Sequence, residues 1–171
     1  MKNILNSDYP AYFETYINHV QNDDCILAME ENLNDFIVFI ENIPLEKYNY
    51  KYQENKWTIK DIVRHIIDTE RIFAYRALRF SRFDRTPIPG FEENDYAANV
   101  DTAKIEMTDL LQEFILVRKS TIKLFESFSE VMLFAKGIAS GNEMSVLAVG
   151  FIVSGHVIHH QNVIKERYLS N

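Results

Sequence analysis

The sequence predicts an all-α fold, a four-helix bundle, on three observations. Four long stretches repeat apolar residues at spacings of three and four, the period of a helix with one buried face. Only five glycines and four prolines are spread over 171 residues, too few turn formers for a β-sandwich or barrel. Apolar residues make up 47% of the chain and charged residues 25%. That balance belongs to a globular protein and excludes disorder or collagen-like repetition. Four rods with one apolar stripe each bury those stripes most simply against one another.

Taken in order, a short helix within 9–20 precedes the bundle as a flap or early turn. The first long stretch carries Ile26, Met29, Leu33, Phe36 and Ile40 and ends at Pro44. The second opens at Thr58 with Asp61 three residues on, a capping-box pattern whose side chains satisfy exposed amide hydrogens. It runs through Ile59, Ile62, Ile66, Phe73, Ala77 and Phe80; as a helix over 59–82 it is a rod of ~36 Å. The third covers 102–128, with Leu111, Ile115, Ile122 and Phe125 on one stripe. The fourth covers 145–168 and carries Val149, Ile152 and Val163. The link over 84–101 contains Pro87, Pro89 and Gly90 and is long for a helix–helix connection. Such links are commonly functional or mobile, and this one is expected to roof an open site. No repeat or composition break marks a second domain, so 1–171 reads as one domain.

Lys and Arg total 18 against 25 Asp and Glu, a net charge of −7. A duplex-binding protein needs a basic face, so nucleic acid is not an expected partner. The lone Cys25 cannot form an internal disulfide, which fits a reducing compartment. The opening residues lack the unbroken apolar core of a signal peptide. The most apolar stretch, 146–153, falls far short of the ~20 residues that cross a bilayer. A cytoplasmic protein without a membrane partner is expected.

Three of the five histidines fall within five residues, His156, His159 and His160. His156 and His160 are one turn apart, share a helix face, and continue the apolar stripe of Val149, Ile152 and Val163. Polar rings on a buried face are costly unless hydrogen-bonded or metal-bound. Two imidazoles so placed make a platform for a metal ~2 Å from each nitrogen. Two half-exposed, solvated histidines would show the same spacing. His65 adds weight, because it lies beside the second helix's buried stripe between Ile62 and Ile66. Three histidines from two facing helices form a half-shell open on one side, the geometry of a catalytic metal site. His159 is rotated off the His160 direction, and His19 reads as an exposed surface residue.

Arg118, between Ile115 and Ile122, and Arg76, eleven residues after His65, are charges on inward stripes. Each is either a snorkelling stem or a cation that holds a carboxylate or an anionic substrate group. Glu70 and Glu166 are the candidate carboxylates for orienting an imidazole. Trp57, Phe91 and Tyr96 flank helix ends, where they either pack or line a pocket mouth.

The run from Lys56 through Trp57, Thr58, Asp61 and His65 to Glu70 and Arg71 resembles the second-helix motif of the DinB superfamily, in its YfiT-like branch. Tyr75-Arg76-Ala77-Leu78-Arg79, the loop Pro87-Ile88-Pro89-Gly90-Phe91, Arg118, and Gly155-His156-Val157-Ile158-His159-His160 with Lys165-Glu166-Arg167-Tyr168 are similar to that branch in order and distance. The resemblance implies a four-helix bundle of the DinB/YfiT-like type that binds a divalent metal, zinc or nickel, through His65, His156 and His160. It leaves His159 outside the ligand set. It implies a small-molecule substrate and either metal-dependent hydrolysis or S-transfer of a low-molecular-weight thiol such as bacillithiol or mycothiol. Two other readings remain open at this stage: a non-catalytic metal- or small-ligand-binding stress-response protein, and a plain bundle with hydrogen-bonded histidines. A bundle with spare apolar surface is also compatible with a homodimer.

Overall fold

The computed structural model describes residues 4–170. Its long helices are α2 (Cys25–Glu41), α3 (Ile59–Ser81), α5 (Met107–Glu126) and α7 (Val146–Tyr168), with three shorter ones, α1 (Glu14–His19), α4 (Glu93–Ala98) and α6 (Glu130–Leu133). Neighbours around the bundle run α2, α5, α3, α7 and back to α2, and α1 lies along the outer side of α7. No described helix is long and apolar enough to cross a membrane.

Local chemistry fixes most helix starts. Asp24 caps α2 by accepting from the amides of Ile26 and Leu27. The capping box of α3 forms in both directions, Asp61 N–H to Thr58 Oγ1 at 3.0 Å and Thr58 N–H to Asp61 Oδ2 at 2.8 Å. Ser145 Oγ accepts from the Ala148 amide at 3.1 Å to start α7. The end of α3 is a Schellman turn: Phe83 N–H reaches the Phe80 carbonyl and Asp84 N–H the Arg79 carbonyl, with Phe83 at φ 59°.

Two expectations need correction. The third helix starts at Met107, not near 102, because Ile105 and Glu106 are extended and Thr102–Lys104 is a separate 3₁₀ turn. That turn is held to α3 through a hydrogen bond from Thr102 Oγ1 to Asp61 Oδ1. The 9–20 segment divides into a 3₁₀ turn, Ala11–Phe13, and α1. A hairpin not expected from the apolar spacing follows α6, β1 (Lys136–Ala139) paired antiparallel with β2 (Asn142–Ser145). Ser140 and Gly141 at its tip both have positive φ, 52° and 76°, the paired conformation of a type I′ turn. Ile88 from the 84–101 link bridges to Ala139, which draws that link onto the hairpin. Gly137 lets β1 lie on α3, since a Cβ there would sit 1.9 Å from the Phe80 ring.

The core has two apolar clusters. One gathers Phe73, Phe80, Phe125, Phe151 and Ile152 at the hairpin end, and the other gathers Phe36, Ile62, Ile66, Phe114 and Ile164 at the opposite end. Between them lies a buried polar layer of Asn32, Glu70, Arg118 and His156. The first half of α7 does not present the single stripe read from its spacing. All but Leu147 of residues 146–157 are buried, because α1 closes the side that α2 and α3 leave open.

Candidate metal centre

His65 projects from α3, and His156 and His160 from α7, into the space where these helices face each other. Their Nε2 atoms converge: His65 to His156 is 3.0 Å and His160 to His156 is 3.0 Å. All three ligand atoms lie within 4.8 Å of one another. Burial pushes the His65 ring down to about 4, with the neighbouring His159 adding to it. Burial likewise holds His156 and His160 well below the ordinary histidine value, and the surrounding rings act in the same direction. At neutral pH all three are therefore unprotonated, the form that ligates metal.

Hydrogen bonding alone does not satisfy this arrangement. A neutral imidazole Nε2 offers one proton or one lone pair, never both. His156 Nε2 faces two other nitrogens at 3.0 Å, so a single proton or lone pair must be divided between two contacts. A cation held between the rings would take all three lone pairs at once, and two of the three nitrogen separations, at 3.0 Å, match the ~3 Å spacing of ligands bound ~2.0–2.1 Å from one ion. The donor set fits a divalent metal with open positions.

Neighbours fix the rings. Thr69 Oγ1, one turn after His65, lies 3.4 Å from His65 Nδ1, and the Trp57 ring packs on His65 at 4.8 Å. Tyr16 stands edge-on to His156 at 5.6 Å. Its approach depends on Gly155, where a Cβ would sit 1.9 Å from the Tyr16 carbonyl oxygen. The site opens into a cavity of about 430 Å³ walled by Phe13, Tyr16, Trp57, Phe73, Phe91 and Met144 and reaching Arg76 at its far end. This volume lies within the ~300–1,000 Å³ range of small-molecule pockets.

The other sequence candidates divide. Arg118 is fully buried and grips Glu70 with two bonds, Nε to Oε1 at 2.8 Å and Nη2 to Oε2 at 2.9 Å. Its Nη1 donates to Asn32 Oδ1 at 2.9 Å and to the Met29 carbonyl at 3.2 Å. Glu70 is thus bound to Arg118, and the exposed Glu166 acts only as a charge that raises the proton affinity of His159. His19 is not the isolated surface residue its sequence context indicated. The packing of α1 on α7 stacks it against His159 with centroids 6.3 Å apart. His159 itself lines the cavity outside the trio. Of the aromatic candidates Trp57 and Phe91 line the cavity, while Tyr96 packs on Phe91 at 5.2 Å. The 84–101 link contributes Phe91 and Glu93 to the cavity and the hairpin contributes Ser140 and Asn142. Thr69 was legible as one turn beyond His65; Phe13, Tyr16 and the hairpin residues had no local signal beyond a Ser-Gly turn pair.

A bundle whose facing helices converge three histidines beneath a small cavity is the class that fold and site define. The model of the DinB superfamily matches residues 28–164, and the chain belongs to that superfamily. Among solved structures it is similar to YfiT from Bacillus subtilis, with a TM-score of 0.72 at 16% identity over 85% of this chain and 86% of that one. YfiT is described as a probable metal-dependent hydrolase with an unusual four-helix bundle topology. At this identity the likeness shows the fold. Curated protein sequences give no significant match.

Proposed function

We propose that the chain is a divalent-metal-dependent enzyme acting on a small molecule, with zinc or nickel held by His65, His156 and His160. The observation that carries this reading is the double 3.0 Å approach to a single nitrogen of His156. When bound, a dication on three neutral ligands keeps its charge and lowers the pKa of a water or thiol in its open position toward neutrality. Trp57 and Thr69 hold the His65 ring, and Phe13, Phe73 and Phe91 exclude water from the cavity. His159 is kept below the ordinary value by burial and by His19, so its neutral ring can accept a proton at the cavity wall.

A metal held there would supply either an activated water, for hydrolysis of an ester or amide to acid plus alcohol or amine, or an activated thiol, whose sulfur would displace a leaving group from an electrophile while its proton is lost to solvent. Our first reading is S-transfer, supported by the motif resemblance to a superfamily with thiol-using members, and hydrolysis is the second, supported by the description of YfiT as a probable hydrolase. The thiol comes from a small molecule, because Cys25 is buried and burial pushes its thiol up to about 12, which keeps it protonated and inert. Metal analysis of the purified protein tests the reading: about one equivalent bound in wild type and loss of it in His156→Ala with helicity retained. Less than about a tenth of an equivalent, unchanged after reloading, overturns it. Turnover of a low-molecular-weight thiol with an alkylating electrophile, against an ester panel, assigns the nucleophile. Metal uptake without turnover on either panel favours the non-catalytic binding module.

A further inference from the structure

Arg118 and Arg76 are both buried arginines, yet among the described residues only Arg118 has an anion. Arg118, 0% exposed, is matched by the Glu70 carboxylate and two further acceptors. Arg76, 3% exposed, makes one hydrogen bond, from Nη2 to the neutral Ser140 Oγ at 3.1 Å. Its Nε has no partner among the described residues, and no carboxylate there stands within ion-pairing distance. The Phe73 ring, 5.1 Å from its guanidinium carbon, gives partial compensation. The acid sharing its cavity is Glu93, exposed on α4 and not paired with it. Burial of a guanidinium without a counter-charge is among the costlier arrangements in a fold, and cations so placed are normally paired.

Its position indicates what completes it. His65, Thr69, Phe73 and Arg76 follow one another at spacings of four, four and three along one face of α3, and all four line the same cavity. The histidine trio and the unpaired cation thus stand at opposite ends of one pocket, eleven residues or ~16 Å of helix axis apart. The walls between them are largely aromatic. We infer that Arg76 is a substrate-anchoring residue that binds a carboxylate of an elongated, partly apolar small molecule whose reactive end lies at the histidine trio. A guanidinium offers a planar fork of N–H donors that matches a carboxylate, whereas a lysine would offer a point charge. This inference rests on the proposed metal site only for which end reacts; the anion anchor itself does not need the metal.

Trp57, the single tryptophan of the chain, lines this cavity, so its fluorescence reports occupancy. The probe pair is 4-phenylbutyrate and its uncharged isostere 4-phenylbutyramide, titrated into the full-length protein with and without bound metal and checked by calorimetry. The acid is expected to bind at least about tenfold tighter than the amide in both forms, and Arg76→Gln is expected to bring the two affinities together. Unchanged affinity of Arg76→Gln for the amide, with its far-UV circular dichroism retained, separates loss of the anchor from a folding defect. Equal affinity of acid and amide in wild type, or an acid preference that survives Arg76→Gln, overturns the inference. An acid preference confined to the metal-loaded protein also overturns it, since the anion would then sit at the trio. A protein that takes up no metal but keeps the Arg76-dependent preference refutes the proposed function while leaving the anchor standing.

Discussion

Removing Glu70 leaves the Arg118 cation in the middle of the bundle with no opposite charge. The Arg118 and Glu70 side chains are 0% and 2% exposed, and two bonds of 2.8 and 2.9 Å join them. Glu70→Leu keeps the helical backbone and approximate volume but removes both acceptors, and Asn32 and the Met29 carbonyl are neutral replacements at best. Breaking a buried pair from one side costs ~3–5 kcal/mol because the surviving charge stays desolvated. For a chain of this size ~2–4 °C accompanies each kcal/mol, so the melting temperature should fall by roughly 6–20 °C. Replacing both partners, Glu70→Leu with Arg118→Met, removes the stranded charge and should recover most of the loss. Urea unfolding followed by far-UV circular dichroism on metal-free protein gives the free energies without a contribution from ligand binding. A Glu70→Leu variant within about 1 kcal/mol of wild type, or a double variant no better than the single, would refute the reasoning.

Metal-free protein should lose stability on acidification through the window set by its histidines. The unfolded His65 protonates near 6.5 but the folded ring, held down by burial, only near 4. Between those values the unfolded chain binds more protons, so the stability that His65 contributes falls as pH drops from 6.5 to 4. At ~1.4 kcal/mol per pH unit this ring alone accounts for about 3 kcal/mol, and His156 and His160 act in the same direction. Urea midpoints measured from pH 4 to 8 check this, and a level profile contradicts it. Gly155→Ala distinguishes a packing constraint from helix propensity by sign. Propensity alone would stabilise α7 by about 1 kcal/mol, whereas a Cβ 1.9 Å from the Tyr16 carbonyl oxygen must lift α1. A loss of ~1–3 kcal/mol with faster amide exchange confined to α1 is expected; a stabilised variant would show that α1 does not pack as described.

Much of the framework was legible because its causes are local. Apolar residues at spacings of three and four and the Thr58–Asp61 box fix α3 and α7 to within a residue or so of where they lie, whereas α2 ends at Glu41, three residues short of the Pro44 stop. The same periodicity places His65, His156 and His160 on faces that must meet if α3 and α7 pack. What went unread depends on partners far along the chain. The start of α5 moved because Thr102 bonds to Asp61, forty-one residues earlier. The hairpin is two four-residue strands, too short to carry a period.

By itself the sequence determined that this chain makes helices, where the apolar faces of α2, α3 and α5 lie, and which helix face carries each imidazole, since those follow from spacing and caps within one segment; that α7 is buried all round in its first half came only from the packing of α1. Tertiary structure alone decided which of two inward arginines is neutralised. Arg118 meets Glu70 across forty-eight residues, while Arg76 donates to a hairpin hydroxyl sixty-four residues away and, among the described residues, pairs with no carboxylate. Side-chain type states that a charge exists, but its desolvation and its counter-charge are set by the elements that close around it.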